Sequence, residues 1–194
     1  MSIDSEKFAR EGLCMVDDFV SSTQLEAIHS ALPNWRENFA AAKVGRHEVA
    51  EDIRRDLTWW LDRESAPPEL RDIFAKVEEQ KLRLNRSLFL GLKDWEAHLA
   101  LYAPGGFYKK HLDRHRENSH RRVSVVIYLN GDWQARDGGE LVLYDKHDEV
   151  VQRVLPHGGR AVFFLSEEFP HEVRPAHRER LSLTGWFLDA PRSL

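Results

Sequence analysis

Apolar positions along the chain follow two regimes that meet near Asn85. Upstream, Leu25, Ile28, His29, Leu32 and Trp35 recur at helical spacing. The preceding Ser21-Ser22-Thr23-Gln24 reads as a capping box, with Ser21 capping the helix and Gln24 reaching back. Pro33 donates no backbone N–H and is expected to bend or end this helix early. A second helix is expected from Ser65-Ala66-Pro67-Pro68-Glu69, where prolines suit a first turn. Its apolar stripe would be Leu70, Ile73, Phe74 and Val77, extended by Leu82 and Leu84. Between the two helices, residues 52–61 (DIRRDLTWWL) read as a strand or a folded finger.

Downstream the period changes to that of strands. Short apolar runs fall at 95–102, 107–112, 122–129, 140–144, 149–155, 160–165, 171–174 and 181–188, most of them separated by Gly, Pro, Asn or Asp. Many short strands at regular spacing predict a β-sandwich or jelly roll, with the earlier helices packed on one outer face. The fold class expected is therefore α+β. The division is a helical support with a finger over about 1–85 and a jelly-roll core over about 86–194, together one domain across 1–194. A jelly roll has an open mouth between its sheets that can hold a small ligand.

Composition narrows the partners. A formal charge of −4 gives no general attraction to nucleic acid or anionic membrane. Between Lys109 and Arg122, however, Lys109, Lys110, Arg114, Arg116, Arg121 and Arg122 outnumber Asp113 and Glu117, and His111, His115 and His120 join them. This is either a solvated loop or a rim that favours an anionic ligand or acidic partner. The lone Cys14 excludes an intrachain disulfide and, within Leu13-Cys14-Met15-Val16, reads as a buried structural thiol. There is neither a basic-then-apolar leader nor an apolar run near the ~20 residues of a membrane helix. A cytoplasmic enzyme or binding protein is the expectation.

The sharpest chemical signal is His111-Leu112-Asp113. In a strand, the two outer residues share a face about 6–7 Å apart and can reach one ion. Alone the tripeptide is weak, and a surface histidine and aspartate on a hairpin fit it too. A second histidine would complete a two-histidine, one-carboxylate facial triad, a donor set that suits iron(II) and leaves positions open. The candidates are His115, His120, His147, His157, His171 and His177. His171 stands out because Arg180 comes nine residues later, and Arg180, Ser182, Thr184 and Trp186 share one strand face. That face either meets solvent or turns inward, where a buried cation calls for an anion. Inside the barrel, Arg180 would hold a carboxylate through two parallel charge-assisted hydrogen bonds. Tyr128 would add a phenolic bond or serve as a core tyrosine. His98 shares strand parity with Tyr102 and is assigned a structural role, as are most of the tryptophans apart from Trp186 and Trp59.

Together these segments resemble the prolyl-hydroxylase group of iron(II)/2-oxoglutarate oxygenases. Residues 102–113 (YAPGGFYKKHLD) look like the family's tyrosine–glycine hairpin leading into H-x-D. Val125-Val126-Ile127-Tyr128-Leu129-Asn130, Gly138-Gly139-Glu140-Leu141, and Pro170-His171-Glu172-Val173 with Arg180 and Trp186 come after it in the family's order. Residues 52–59 (DIRRDLTW) are similar to the substrate-covering finger of the egl-nine-type, oxygen-sensing enzymes and their bacterial relatives, about one residue shorter before the tryptophan. The resemblance implies a double-stranded β-helix in which His111, Asp113 and His171 hold Fe(II). It further implies that Arg180, Tyr128, Tyr102, Thr184, Leu141 and Trp186 bind or wall in 2-oxoglutarate. Arg54, Asp56 and Trp59 would contact substrate, O2 would be consumed, and ascorbate would serve as reductant. The implied partner is a proline-containing protein or peptide, a translation factor or ribosomal protein by analogy. Three alternatives stand beside it: a hydroxylase of a free amino acid or other small molecule, a non-catalytic metal and 2-oxoglutarate sensor, and a zinc hydrolase. The last is disfavoured because spacing marks no general base.

Overall fold

The computed structural model describes residues 2–42, 52–114 and 120–191. Three helices, α1 (Ser5–Glu11), α2 (Ser22–Trp35) and α3 (Arg71–Leu88), precede most of the strands. The capping box at α2 forms as expected: the Gln24 N–H donates to Ser21 Oγ at 3.3 Å and the Ser21 N–H to Gln24 Oε1 at 3.1 Å. Pro33 does not end this helix, which runs on to the buried Trp35. The missing donor falls in the last turn, where the preceding hydrogen bonds survive and the packing of Trp35 holds the end in place. The prolines before α3 form a short 3-10 turn, Pro68–Leu70. Ile73, Phe74, Val77 and Leu84 are buried, whereas Leu82 is exposed. Leu82 sits roughly 140° around the helix from Val77, off the apolar stripe.

The described residues form eleven strands, three of them upstream of Asn85. They are β1 (Leu13–Val16), β2 (Ala40–Ala41), β3 (Leu57–Leu61), β4 (Asp94–Tyr102), β5 (Tyr108–His111), β6 (Arg121–Tyr128), β7 (Leu141–Tyr144), β8 (Val150–Val154), β9 (Ala161–Leu165), β10 (His171–Val173) and β11 (Arg180–Leu188). They make a seven-stranded sheet, β1-β9-β6-β11-β4-β3-β2, facing a four-stranded sheet, β5-β10-β7-β8. All the pairings are antiparallel. This is the jelly-roll core of an α+β fold, as the strand count predicts. The run around Cys14 is an edge strand on β9 as well as a buried thiol, with Cys14 opposite Phe163.

Strand alternation sorts the large sheet into two faces. Leu99, Leu101, Val123, Val125, Ile127, Leu181, Leu183 and Phe187 pack with Ile28, Leu70, Ile73 and Val77 of the helical layer. The alternate residues, among them Ala100, Tyr102, Val126, Tyr128 and Phe164, pack toward Leu141, Leu143 and Val173 of the small sheet. The functional residues of β11 have the second parity, so they face the space between the sheets. Residues 53–55 tie the small sheet to the large one: Arg55 N–H donates to the Phe107 carbonyl at 2.8 Å and Lys109 N–H to the Ile53 carbonyl at 2.9 Å. Residues 43–51, just before the expected finger, and 115–119 of the basic segment lie outside the described residues.

Candidate active site

β5 and β10 are neighbours, and their register sets His111 directly opposite His171. Asp113 lies just past the end of β5, so a bend rather than strand alternation returns it to the same point. His111 Nε2 lies 3.5 Å from Asp113 Oδ1, and His171 Nε2 lies 3.5 Å from Asp113 Oδ2. One potential ligand atom from each residue falls within 4.8 Å of the others. Both imidazoles are oriented from behind: Nδ1–H of His111 donates to the Lys109 carbonyl at 2.8 Å, and Nδ1–H of His171 to the Phe169 carbonyl at 3.0 Å. Each Nε2 is thereby left as an acceptor aimed inward, the tautomer a metal requires. Ser124 Oγ–H donates to Asp113 Oδ2 at 2.6 Å and lies 2.9 Å from Ser166 Oγ.

The electrostatics agree with a cation site. Burial pushes the Asp113 carboxyl up, but His171, His111 and the Ser124 hydroxyl overcome it and hold the carboxyl far below the usual range. Burial lowers His171 to about 4 against the pull of Asp113, which keeps its ring neutral near pH 7. An ionised carboxylate and two imidazoles are a donor set for a divalent first-row metal, with no thiolate to favour a soft one.

The opposite end of the same cavity carries a buried cation. Arg180 is 1% exposed; its Nε donates to the Gly139 carbonyl at 3.0 Å and its Nη1 to Ser182 Oγ at 3.3 Å. Among the described residues no carboxylate pairs with it. Gly138 and Gly139, at φ +64° and +72°, turn the chain so that the Gly139 carbonyl meets the guanidinium. Tyr102 and Tyr128 pack on Arg180, with ring centroids 4.9 and 5.2 Å from Cζ. The Tyr128 hydroxyl is buried without a hydrogen-bond partner of good geometry, and burial lifts it to about 12 although Arg180 opposes the shift. An unneutralised buried guanidinium beside an orphan phenol fits a ligand carboxylate.

A cavity of about 550 Å³ joins the two ends. His111, Asp113, His171, Arg180, Tyr102, Thr184, Leu141, Trp186 and Arg54 all line it. Tyr128 stands behind Arg180. Asp56, 0% exposed at its side chain, backs Arg54 through two hydrogen bonds of 2.7 and 2.6 Å and does not reach the cavity. Trp59 is not at the site. Alternation along β3 turns it to the helical layer, where it meets Trp35 and Phe39 at 5.9 and 6.0 Å, while Trp60 takes the cavity face. The parity of β3 carries that signal, but it is hidden until Leu57–Leu61 is assigned as a strand. Sequence reasoning also misses Ser124, which the parity of Tyr128 on the same strand marks, and Tyr108, which stacks on His111 at 3.7 Å. His98, expected to be structural, lines the cavity. Four cations of the basic segment are ion-paired: Lys110 with Asp148, Arg114 with Glu167, Arg121 with Glu96, and Arg122 with Asp189. Their charge is answered by neighbouring carboxylates rather than presented as a cationic rim.

The adjacent tryptophans should respond oppositely to substitution. Trp59→Ala should cost about 2–4 kcal/mol of folding stability through lost core packing. Trp60→Ala, at a side chain 52% exposed, should leave stability nearly unchanged and alter ligand binding in the cavity. Chemical denaturation of both variants checks this, and equal destabilisation would contradict the assigned faces.

His98 gives a pH prediction. Burial, then Arg54 and Arg121, lower it from 6.5 to about 3. Between those values the unfolded chain binds a proton that the folded state refuses, so stability falls as pH drops below about 6.5, by up to ~1.4 kcal/mol per unit. His98→Leu should flatten that slope in denaturation curves taken from pH 7 to 4; an unchanged slope would show that His98 does not set it.

Two histidines and a carboxylate facing a buried arginine across a jelly roll define the class of 2-oxoglutarate- and iron(II)-dependent oxygenases. The family model of the 2OG-Fe(II) oxygenase superfamily matches residues 97–188. The crystal structure of a Pseudomonas putida prolyl-4-hydroxylase aligns with a TM-score of 0.86 at 38% identity, covering 96% of this chain and 97% of that one. A Trichoplax adhaerens prolyl hydroxylase, solved with a hypoxia-inducible factor oxygen degradation domain peptide fragment, aligns with a TM-score of 0.87 at 26% identity, covering 96% and 88%. Human Egl nine homolog 1 is 26% identical over 194 residues, and the match spans 93% of this chain but 45% of that protein, about half the length of such relatives. The chain belongs to the prolyl-4-hydroxylase family of 2OG-Fe(II) oxygenases. Among the described residues no helix is long and apolar enough to cross a membrane.

Proposed function

We propose that this protein hydroxylates a prolyl residue of a protein or peptide substrate, with His111, Asp113 and His171 holding Fe(II) and Arg180 clamping the distal carboxylate of 2-oxoglutarate. One observation carries this reading: a triad of two histidines and an ionised carboxylate, and an unneutralised buried arginine, face one cavity of about 550 Å³. When bound, iron with 2-oxoglutarate and O2 supplies an oxidative decarboxylation that yields succinate and CO2 and delivers one oxygen atom to a C–H bond.

The chain's own residues bind and orient. The Lys109 and Phe169 carbonyls fix the two ligand imidazoles, and Ser124 fixes the carboxylate of Asp113. Tyr128 supplies its unpartnered hydroxyl, and Tyr102 its ring, beside Arg180. Thr184 adds a hydroxyl on the same wall, while Leu141 and Trp186 line the cavity and exclude water. Arg54, held by Asp56, and Trp60 border the substrate side. The protein thus positions groups, and the metal and co-substrate carry the difficult chemistry. Ascorbate is the proposed reductant, a translation factor or ribosomal protein the proposed partner, and the cytoplasm, in keeping with the unpaired Cys14, the proposed compartment. The chain 1–194 is proposed to work as one oxygenase unit.

The test is succinate production from purified protein given iron(II), ascorbate, 2-oxoglutarate and O2, with and without cell lysate. Metal-dependent turnover that rises with lysate, and a proline in the lysate gaining one oxygen by mass spectrometry, is the expected result. No succinate from protein with metal bound would favour a sensor that binds without turnover.

A further inference from the structure

Charge sorts the cavity wall into two kinds of polar surface. Three guanidinium groups line it: Arg54, Arg121 and Arg180. Arg54 is neutralised by Asp56 at 2.6 Å and Arg121 by Glu96 at 2.8 Å, while Arg180 has no carboxylate partner among the described residues. Arg180 therefore marks an anion end. The wall near Arg54 and Arg121 carries no net charge, yet it holds two buried polar atoms without partners, His98 Nδ1 and Trp186 Nε1.

These two residues lie on adjacent strands and face the same cavity. The His98 and Trp186 rings are 5.5 Å apart, and Trp60 stands 4.8 Å from His98 and 6.1 Å from Trp186. Both are nearly buried, at 4% and 5% exposure. A buried polar group without a partner is unfavourable unless a ligand or water supplies one. The indole N–H can only donate, and it asks for a carbonyl. The imidazole stays neutral near pH 7, since burial and then the two flanking arginines oppose its protonation, and so it keeps one acceptor nitrogen. A donor and an acceptor without net charge suit an uncharged amide. They do not suit a free amino acid, whose ammonium and carboxylate would each need an unpaired opposite charge on this wall.

Resting on the prolyl-peptide reading above, we propose that His98 and Trp186 form a specificity subsite that takes the two neutral amides flanking the substrate proline, the carbonyl before the proline on the Trp186 N–H and the N–H after it on the His98 imidazole, with Trp60 covering the contact. The subsite discriminates for proline embedded in a chain and against free proline. His98 is thus a substrate-contacting residue rather than only a packing one.

The test uses two small probes, N-acetyl-L-proline N-methylamide and free L-proline. Each is titrated into isotope-labelled protein saturated with Zn(II) and 2-oxoglutarate, reading the Trp186 indole N–H resonance, assigned through Trp186→Phe. The blocked amide is expected to move that resonance to saturation, and free proline is not. His98→Leu should weaken binding of the amide about fivefold, the range of one neutral hydrogen bond, and His98→Gln, which keeps an acceptor, should restore most of it. The affinity for 2-oxoglutarate should be unchanged in both variants, which also reports that they fold. Three results would overturn the proposal: no response to the amide, an equal response to free proline, or an unchanged amide affinity in His98→Leu. Succinate production with lysate, measured on the same preparations, is independent of these probes, so persistent turnover with a silent indole sinks the subsite and leaves the oxygenase reading standing.

Discussion

Arg180→Ala is expected to weaken 2-oxoglutarate binding by roughly two to four orders of magnitude while leaving metal affinity nearly intact. The reasoning is a count of bonds. A guanidinium can give a carboxylate two parallel charge-assisted hydrogen bonds, each contributing about 1.5–3 kcal/mol, and each 1.4 kcal/mol is about tenfold in affinity. Nothing else at that end of the cavity compensates, because the Tyr128 hydroxyl is neutral and the next polar groups are the hydroxyls of Ser182 and Thr184. The metal ligands belong to β5, β10 and the bend after β5, and none of them contacts Arg180. The same structure predicts an opposite effect on the ligand-free fold. Arg180 is a cation at 1% exposure without a carboxylate partner among the described residues, an arrangement that costs folding energy until an anion arrives. Arg180→Met keeps much of the packing against Tyr102 and Tyr128, so the ligand-free variant should be at least as resistant to denaturant as the wild type, whereas added 2-oxoglutarate should stabilise only the wild type. Calorimetric titration with the metal and then with 2-oxoglutarate separates the two affinities. Equal 2-oxoglutarate affinity in wild type and Arg180→Ala would remove the arginine's role as the carboxylate clamp.

How far such a site is legible in a linear sequence depends on the kind of constraint. Arg180, Ser182, Thr184 and Trp186 are readable because a strand has period two, and one inward residue fixes the direction of the rest. His111 and Asp113 are readable because a metal needs two donors close in sequence, although a bend after His111, not strand alternation, brings the second donor round. Pairing between strands is another matter. That His171, among six candidate histidines, lies opposite His111 is a fact of register, and residue types alone do not fix register. The same holds for Ser124, which meets Asp113 across eleven residues of chain, and for His98, whose missing partner is visible only once its neighbours are placed. Trp59 and Trp60 illustrate the hazard at its smallest scale. A one-residue error in the phase of β3 exchanges a core side chain for a cavity side chain. The helices pose the complementary problem: Leu82 is apolar and near the stripe in sequence, yet the turn of α3 sets it in solvent.

The second large effect is expected at Asp113. Asp113→Ala removes the one anionic ligand of the triad and leaves two imidazoles. Two neutral donors hold a divalent ion far less well than a donor set with a carboxylate. Removing a group that merely orients a ligand commonly lowers metal affinity roughly 10- to 100-fold. Ser124→Ala, which takes away the 2.6 Å bond to Asp113 Oδ2 but keeps the carboxylate, should fall in that range. Asp113→Ala should exceed it, with succinate production at background at any attainable iron(II) concentration. The pairing guards against a trivial explanation, since both substitutions perturb the same buried cluster of Asp113, Ser124 and Ser166. If the loss came from misfolding, the two variants would fail together and 2-oxoglutarate would no longer protect either from denaturant. If it came from ligation, Ser124→Ala would recover turnover as iron(II) is raised, and Asp113→Ala would not. Competitive titration with Co(II) gives the same ranking without turnover. A wild-type metal affinity in Asp113→Ala would mean that the ion is held elsewhere and that His111, Asp113 and His171 are brought together for some other reason.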